Sequence, residues 1–230
     1  MLPMLTQPSF LAAHLKQIPL DFDVARSPLL KDSPYLGRLL GNHEPILQAN
    51  YDNGESILLT QSLSMLDLLE DSYPGRRPLI PPVTDMTARC KVKDLAALVL
   101  CGIEPKQEVK VLHALEQDSV AWARKFLASG MRAFEDIAKK CAGLYSVGDE
   151  LSIADICLVT MVQASYKYGI IFDQSQYKSG VMRYPTIQRI VTECEMIPSF
   201  MQAGIPKESS GERWRKVSRE PKLISYHRMD

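Results

Sequence analysis

The chain has 230 residues, of which 46% are hydrophobic and 23% are charged, so it is long enough to bury a sizeable core as one large domain or two small ones. Its 27 basic and 27 acidic residues balance, which excludes a global charge that would recruit nucleic acid or an anionic membrane. No apolar run reaches the roughly 18 residues of a membrane span and the N-terminus lacks signal-peptide features, so a cytoplasmic location is expected.

The beginning of the chain predicts a helix, a strand and a long loop. Residues 9–17 have helical spacing, and the Ile18-Pro19 pair ends the helix because a residue before proline avoids the helical conformation. Residues 20–24 are typical of a strand, and the polar residues 25–43 of a loop. This order indicates half of a β/α unit.

A β-hairpin and a helix are predicted next. Residues 45–49 and 56–59 predict two strands, and Asp52-Asn53-Gly54 between them is a strong turn signal. Thr60 is the predicted N-cap of the following helix. The apolar face of that helix is supplied by Leu63, Met65, Leu66, Leu68 and Leu69.

A stretch rich in proline and glycine separates two parts of different character. Residues 73–84 break regular structure and form the predicted linker. Residues 85–145 then show helical spacing almost throughout. Further on, Ser152 and Asp155 predict a capping box, in which the serine accepts from the backbone N–H of residue 155 and the aspartate reaches back. The sequence therefore predicts a small α/β domain followed by an all-helical one.

The cysteines argue against a disulfide framework and against a zinc or other metal site. They are widely spaced, with no CxxC pair and no His/Cys cluster at metal-ligand spacing. Most have apolar neighbours in helical patterns, so most are predicted to be core residues. The five are Cys90, Cys101, Cys141, Cys157 and Cys194.

Three motifs, taken together, resemble a known family. They are residues 60–70 with the following Tyr73-Pro74, residues 147–159, and Tyr184-Pro185-Thr186-Ile187. They are similar to motifs of the glutathione transferase superfamily, and the last two specifically to its zeta class, which contains the maleylacetoacetate isomerases. The resemblance runs from about residue 10 to residue 205.

The resemblance implies a two-domain fold. Residues 1–80 would form a thioredoxin-like α/β domain that binds glutathione, with its first strand short or missing. Residues 85–205 would form the all-α C-terminal glutathione transferase domain, with the second substrate in the cleft between the two. Residues 206–230 would be a C-terminal tail.

The resemblance also implies glutathione contacts in the first domain. Pro45 matches the cis-proline of the fold, which would turn the backbone of Glu44 towards the cysteinyl part of glutathione; the alternative is a strand-initiating proline. Gln61 and Ser62 match the pair that holds the γ-glutamyl end. Independently, a helix N-terminus offers unpaired N–H groups to a carboxylate. The alternative for Ser62 is an ordinary residue of the first turn.

Three further positions match site residues of the zeta class. Gln107 resembles a glutamine that reaches glutathione from the helical domain, and His43 stands where a polar residue lies beside the tripeptide. Lys167 stands in place of an arginine that draws the acidic substrate, and lysine keeps the charge but loses the bidentate geometry. For each, a solvated surface residue is the alternative.

The chain departs from the family at the residues that activate the thiol. Zeta enzymes carry a Ser-Ser-Cys-Ser motif after the first strand, which this sequence lacks. If the sequence is aligned with the family motif without a gap, Thr6 is the hydroxyl residue in that region. If a gap is allowed, Ser9 takes that place. Two alternatives explain the difference: the sequence lacks its natural beginning, or the chain comes from a lineage that no longer needs the standard thiolate site. Residues 171–183 form a connection longer than the family usually has. This segment would be either a wall of the substrate cleft or a surface insertion.

The function implied is a glutathione-dependent cis–trans isomerase of an unsaturated, carbonyl-conjugated acid, with glutathione as cofactor. The alternatives are a transferase that conjugates glutathione to an electrophile and a non-catalytic or glutathione-independent binding module. The expected partners are the small-molecule substrate and a second copy of the chain in a homodimer. No metal, nucleic acid or membrane partner is expected.

Overall fold

The structure is a computed structural model that describes residues 8–19, 47–51, 53–107, 119–166 and 184–202. The predicted strand at 20–24, the segment 171–183 and the tail lie outside these residues. The helices and strands, in chain order, are α1 (Pro8–Leu15), β1 (Leu47–Asn50), β2 (Ser56–Leu59), α2 (Ser62–Ser72), α3 (Met86–Ala97), α4 (Ser119–Ala138), α5 (Ile153–Tyr166), α6 (Pro185–Glu195) and α7 (Pro198–Gln202).

Helix α1 confirms the first predicted helix and ends in a defined C-terminal motif. The backbone N–H of Ile18 bonds to the carbonyl of Ala13 at 2.9 Å, and that of Gln17 to His14 at 3.0 Å. This pair of bonds is a Schellman motif, which requires a left-handed residue at the turn. Gln17 supplies it with φ 54°, although glycine is the residue that adopts this conformation without strain.

The hairpin is confirmed as an antiparallel pair. Leu47 lies opposite Leu59 and Asn50 opposite Ser56. Gly54 occupies the turn with φ 83°, a conformation that side chains disfavour. Because Leu47 and Leu59 pair, the chain enters β1 and leaves β2 at the same end of the hairpin.

The predicted N-cap of α2 was wrong by one residue. The N-cap is Gln61, with extended backbone (φ −114°, ψ 128°), rather than Thr60. The first intrahelical bond joins the N–H of Met65 to the carbonyl of Gln61 at 3.1 Å, so Thr60, which directly follows β2, lies one residue before the cap. The apolar face is as predicted at Met65, Leu66 and Leu69, which are buried.

The linker has no regular structure but is packed into the core. Leu79 and Ile80 are buried. The backbone N–H of Leu79 donates to the carboxylate of Glu70 at 3.0 Å, and its carbonyl accepts from the N–H of Ile153 at 2.9 Å. The linker therefore joins the end of α2 to the start of α5.

Helix α3 passes into a π-helical turn, Leu98–Ile103, and then a short 3-10 turn, Glu104–Gln107. The wider turn rotates the following side chains about the helix axis relative to a regular α-helix. Cys101 is therefore exposed, against the prediction that it lies in the core. Ile103 is buried and touches the position where a Cβ of Gly130 would be. Glycine at 130 therefore permits α4 to approach this turn closely.

The buried helix α5 begins with the predicted Ser152–Asp155 pair, though only half of the capping box forms. The Asp155 carboxylate accepts from the N–H of Ser146 at 2.7 Å, and from the N–H and the hydroxyl of Ser152 at 2.8 Å each. The reciprocal bond, from the N–H of Asp155 to the Ser152 hydroxyl, does not form, and the hydroxyl donates to the carboxylate. The N–H of Asp155 bonds instead to the Ser152 carbonyl at 3.1 Å.

A buried acid on α4 caps helix α6. The Glu135 side chain is 2% exposed, and its carboxylate accepts from the N–H groups of Thr186 at 3.0 Å and Ile187 at 2.9 Å. Pro185, which has no N–H to satisfy, starts the helix. This contact gives the Tyr184-Pro185-Thr186-Ile187 motif a physical role. No helix within the described ranges is long and apolar enough to cross a membrane.

Candidate active site

The N-terminus of α2 presents backbone N–H groups that have no partner within the helix and no side-chain cap from Gln61. Gln61 is exposed and Ser62 is half-buried. The Gln61 side chain makes no capping hydrogen bond, so it does not cover the N–H groups of the first turn. Such a helix end favours an anionic group both through these donors and through the helix dipole. The geometry suits a carboxylate at Ser62.

A buried ion pair fixes α1 beside α2. The Lys16 Nζ lies 2.7 Å from the Glu70 Oε2, and the lysine side chain is 1% exposed. The same Nζ donates to the carbonyls of Tyr73 at 3.3 Å and Arg76 at 2.9 Å. With the Leu79 N–H on Glu70, these contacts form one junction, which we call the Lys16–Glu70 junction.

The candidate residues Ser9 and Ser62 lie at the N-terminal ends of α1 and α2, and the junction fixes how these two ends are arranged. Lys16 is seven residues beyond Ser9, and Glu70 is eight residues beyond Ser62, which is about 10–12 Å along each helix axis. The two helices pack against each other and are joined at their C-terminal ends. Ser9 and Ser62 therefore lie at the same end of the pair, away from the junction.

Other candidate residues are described only in part. Ser9 lies in the first turn of α1 and is 8% exposed, whereas Thr6 lies outside the described residues. His43, Glu44 and Pro45 also lie outside them. They precede β1, whose first residue, Leu47, is paired beside the end of β2 that leads to Gln61 and Ser62.

The helical domain contributes two candidates whose side chains are not described. The backbone of Gln107 ends the 3-10 turn after α3. Lys167 follows the last residue of α5, Tyr166, and lies outside the described residues. Their predicted roles stay predictions.

The cysteines divide by burial and not as uniformly as predicted. Cys157 and Cys194 are buried, whereas Cys90 and Cys101 are exposed and Cys141 is half-buried. Burial raises the pKa of the Cys157 and Cys194 thiols well above their usual range, with Glu104 adding to the rise for Cys157 and Asp155 for Cys194. Both buried thiols are thus held neutral and are poor nucleophiles.

Comparison with known proteins places this architecture in a family. The family model of the glutathione S-transferase C-terminal domain matches residues 107–201. Maleylacetoacetate isomerase of Aspergillus fumigatus is 33% identical over 155 residues, which cover 66% of this chain but 63% of that protein, less than two thirds of its length. The mouse maleylacetoacetate isomerase is 32% identical over 192 residues, 83% of this chain and 82% of that protein.

This chain belongs to the zeta class of the glutathione transferases. The fold agrees with that of a crystal structure of maleylacetoacetate isomerase from Anaeromyxobacter dehalogenans with bound dicarboxyethyl glutathione and citrate. The TM-score is 0.72 at 26% identity, over 90% of this chain and 94% of that one. The predicted fold class, a thioredoxin-like domain followed by an all-α transferase domain, is confirmed.

Two features of this zeta-class transferase were not predicted from its sequence. The first is the Lys16–Glu70 junction, for which the signal was a glutamate directly after the apolar residues of α2. The second is Gln163, a buried amide among the mostly apolar residues of α5. Both signals are single polar residues in apolar patterns, which sequence alone does not pair with a partner.

Proposed function

We propose that this chain is a glutathione-dependent cis–trans isomerase of an unsaturated, carbonyl-conjugated acid, with maleylacetoacetate the first substrate to test. One observation carries the proposal in this molecule: the uncapped N-terminus of α2, with Ser62 half-buried at its first residue and Ser9 at the same end of the adjoining α1. The names of the zeta-class relatives support the choice of reaction.

The donor set at α2 fits the γ-glutamyl carboxylate of glutathione. Ser62 offers its hydroxyl and its N–H, and the next N–H groups of the turn point the same way. Gln61 is exposed beside them and is free to bond to the amino or carboxylate group of the same moiety. Gln61 is the N-cap, but its side chain makes no capping hydrogen bond and so does not occupy the donors of the first turn.

The remaining site residues are assigned by their place in the proposed cleft. When bound, glutathione supplies the thiolate that adds reversibly to the conjugated double bond, which frees that bond to rotate. Thr6 or Ser9 donates a hydrogen bond to hold the thiolate. Lys167 attracts the acidic substrate through its charge.

The backbone of Glu44, turned by Pro45, pairs with the cysteinyl part of glutathione, while His43 and Gln107 contact the tripeptide from either side. Residues 1–80 thus hold glutathione and residues 85–205 hold the second substrate. A homodimer and a cytoplasmic location are part of the same proposal. Light scattering at micromolar concentration tests the first, with a dimeric mass expected.

Product analysis tests the reaction itself. Purified chain is incubated with maleylacetoacetate, with and without glutathione, and products are followed by NMR. The proposal predicts the trans isomer, formed only with glutathione present and with the glutathione unconsumed. A stable glutathione adduct would instead support the conjugating transferase. No reaction and no glutathione dependence would support the binding module.

A further inference from the structure

The tip of the β-hairpin carries an asparagine that is followed directly by a glycine. Asn53 and Gly54 are both exposed. Among the described residues, and apart from its two chain neighbours, no atom lies within 4 Å of the position that a Cβ would take at Gly54. No side chain therefore shields the main-chain nitrogen of Gly54. This nitrogen is the group that can attack the side-chain amide of the preceding asparagine.

Two hydrogen bonds with Glu55 act on opposite ends of the Asn53 amide. The Glu55 backbone N–H donates to the Asn53 Oδ1 at 3.0 Å, and the Asn53 Nδ2 donates to the Glu55 Oε2 at 2.8 Å. A donor at the carbonyl oxygen stabilises the negative charge that develops there when a nucleophile adds to Cγ. A carboxylate beside the amide nitrogen stabilises the positive charge that develops as this nitrogen becomes ammonia. Both contacts therefore favour attack on the amide and loss of its nitrogen.

We propose that Asn53 is a site of spontaneous deamidation, promoted by Gly54 and Glu55. The Gly54 nitrogen forms a bond to the Asn53 Cγ, and the bond from Cγ to Nδ2 breaks. The proton that the Gly54 nitrogen gives up passes through solvent to Nδ2, which leaves as ammonia, so a cyclic imide remains. Solvent water then opens the imide at either carbonyl, and position 53 becomes aspartate or isoaspartate.

One main-chain hydrogen bond opposes the reaction. The Gly54 N–H donates to the Tyr51 carbonyl at 2.9 Å, and this bond has to open before the nitrogen can attack. Single bonds at an exposed turn open locally at a small cost in free energy. The bond from the Tyr51 N–H to the Glu55 carbonyl, also 2.9 Å, is separate and need not open. Glu55 can thus stay beside Asn53 while Gly54 moves.

The products change the charge and the length of the turn. Both place a carboxylate at position 53, beside the Glu55 carboxylate that had accepted from the amide, and like charges repel. Isoaspartate also adds a methylene group to the main chain. The proposed glutathione contacts lie beyond the other end of the hairpin, where Leu47 pairs with Leu59. The inference is therefore independent of the proposed function.

Peptide mapping of the aged protein tests the site. The folded full chain is incubated at mildly alkaline pH, and samples taken over time are digested at acidic pH, where deamidation is slow. Mass spectrometry with electron-transfer fragmentation then separates asparagine, aspartate and isoaspartate. Asn50 is the control within each sample. It is exposed and its Oδ1 accepts from the Gln48 Nε2 at 2.8 Å, but a tyrosine follows it.

Glu55→Gln is the matched variant for the role of the carboxylate. Glutamine keeps the backbone N–H and the length of the side chain, and it removes the charge. In the parent, Asn53 should deamidate at least about tenfold faster than Asn50, because the glycine nitrogen is unshielded and adjacent. In Glu55→Gln, deamidation of Asn53 should slow roughly three- to tenfold.

Two results would overturn the inference. If Asn53 deamidates no faster than Asn50 in the folded parent, the turn protects the amide and the site does not exist. If Glu55→Gln deamidates at the parental rate, Glu55 has no part in the reaction. Neither result depends on glutathione, so a failure here leaves the proposed function untouched.

Discussion

Lys16 and Glu70 form a buried ion pair, 2.7 Å from Nζ to Oε2, that joins the end of α1 to the end of α2. Both charges have further partners: the Tyr73 and Arg76 carbonyls for the lysine, and the Leu79 N–H for the glutamate. Because removal from water penalises both ions, the pair persists only with these additional bonds. The junction therefore holds the two helices that carry the proposed glutathione contacts.

Lys16→Met should lower the free energy of unfolding by about 3–5 kcal/mol, because it leaves the Glu70 carboxylate buried and unpaired. Urea denaturation followed by circular dichroism measures the change. The double variant Lys16→Met/Glu70→Gln should be more stable than the single one, because the amide oxygen still accepts from Leu79 without a charge.

The chain offers a matched control in an exposed ion pair that also involves α2. Lys93 and Asp67 lie 2.9 Å apart with 40% of each side chain exposed. Lys93→Met should cost less than about 1 kcal/mol, since exposed pairs are screened by water. Equal losses for Lys93→Met and Lys16→Met would contradict a special role for the buried junction.

Gln17→Gly should stabilise the protein by about 0.5–1 kcal/mol, because Gln17 has a left-handed backbone that glycine adopts without strain. Thermal unfolding measures the change. Gln17→Ala is the control, because it removes the same side chain but keeps the Cβ, and it should give no stabilisation. A gain in both variants would attribute the effect to the side chain and not to the backbone.

The thiols should react in two groups. Cys90 and Cys101 are exposed and should be modified rapidly by a thiol reagent such as Ellman's, whereas Cys157 and Cys194 should react only after denaturation. Alkylation followed by peptide mass spectrometry identifies each site. Rapid labelling of Cys157 in the native protein would contradict the packing of α5.

Elements with local signals could be predicted from the sequence. The hairpin prediction depended on the turn signal at residues 52–54 between two short apolar segments, and that of α2 on its apolar face, all of which act within a few residues. The N-cap was missed by one residue because Thr60 has the better capping side chain, whereas the helix begins at Ser62 after an N-cap, Gln61, whose side chain makes no capping bond. Cys101 was misplaced because a π-helical turn shifts the phase of side chains after α3.

The long-range parts of the site could not be predicted in the same way. Lys16 and Glu70 are 54 residues apart and Glu135 and Thr186 are 51 apart, and each pair meets only because the helices pack. A charged residue in a helical pattern is ordinarily a solvated one. Family resemblance predicts the glutathione contacts residue by residue, and these contacts stay predictions.

The most direct test of the central claim is calorimetric titration of glutathione into the parent chain, Ser62→Ala and Ser64→Ala. Ser64 lies on the same helix but is exposed, which makes it the control. A lost hydrogen bond to a charged group is worth about 1.5–3 kcal/mol, so Ser62→Ala should bind glutathione about ten- to a hundredfold more weakly while Ser64→Ala binds as the parent does. Stability should hold in both, because Gln61 and not Ser62 is the N-cap. Parent-like affinity in Ser62→Ala, or no heat of binding in the parent, would contradict the account.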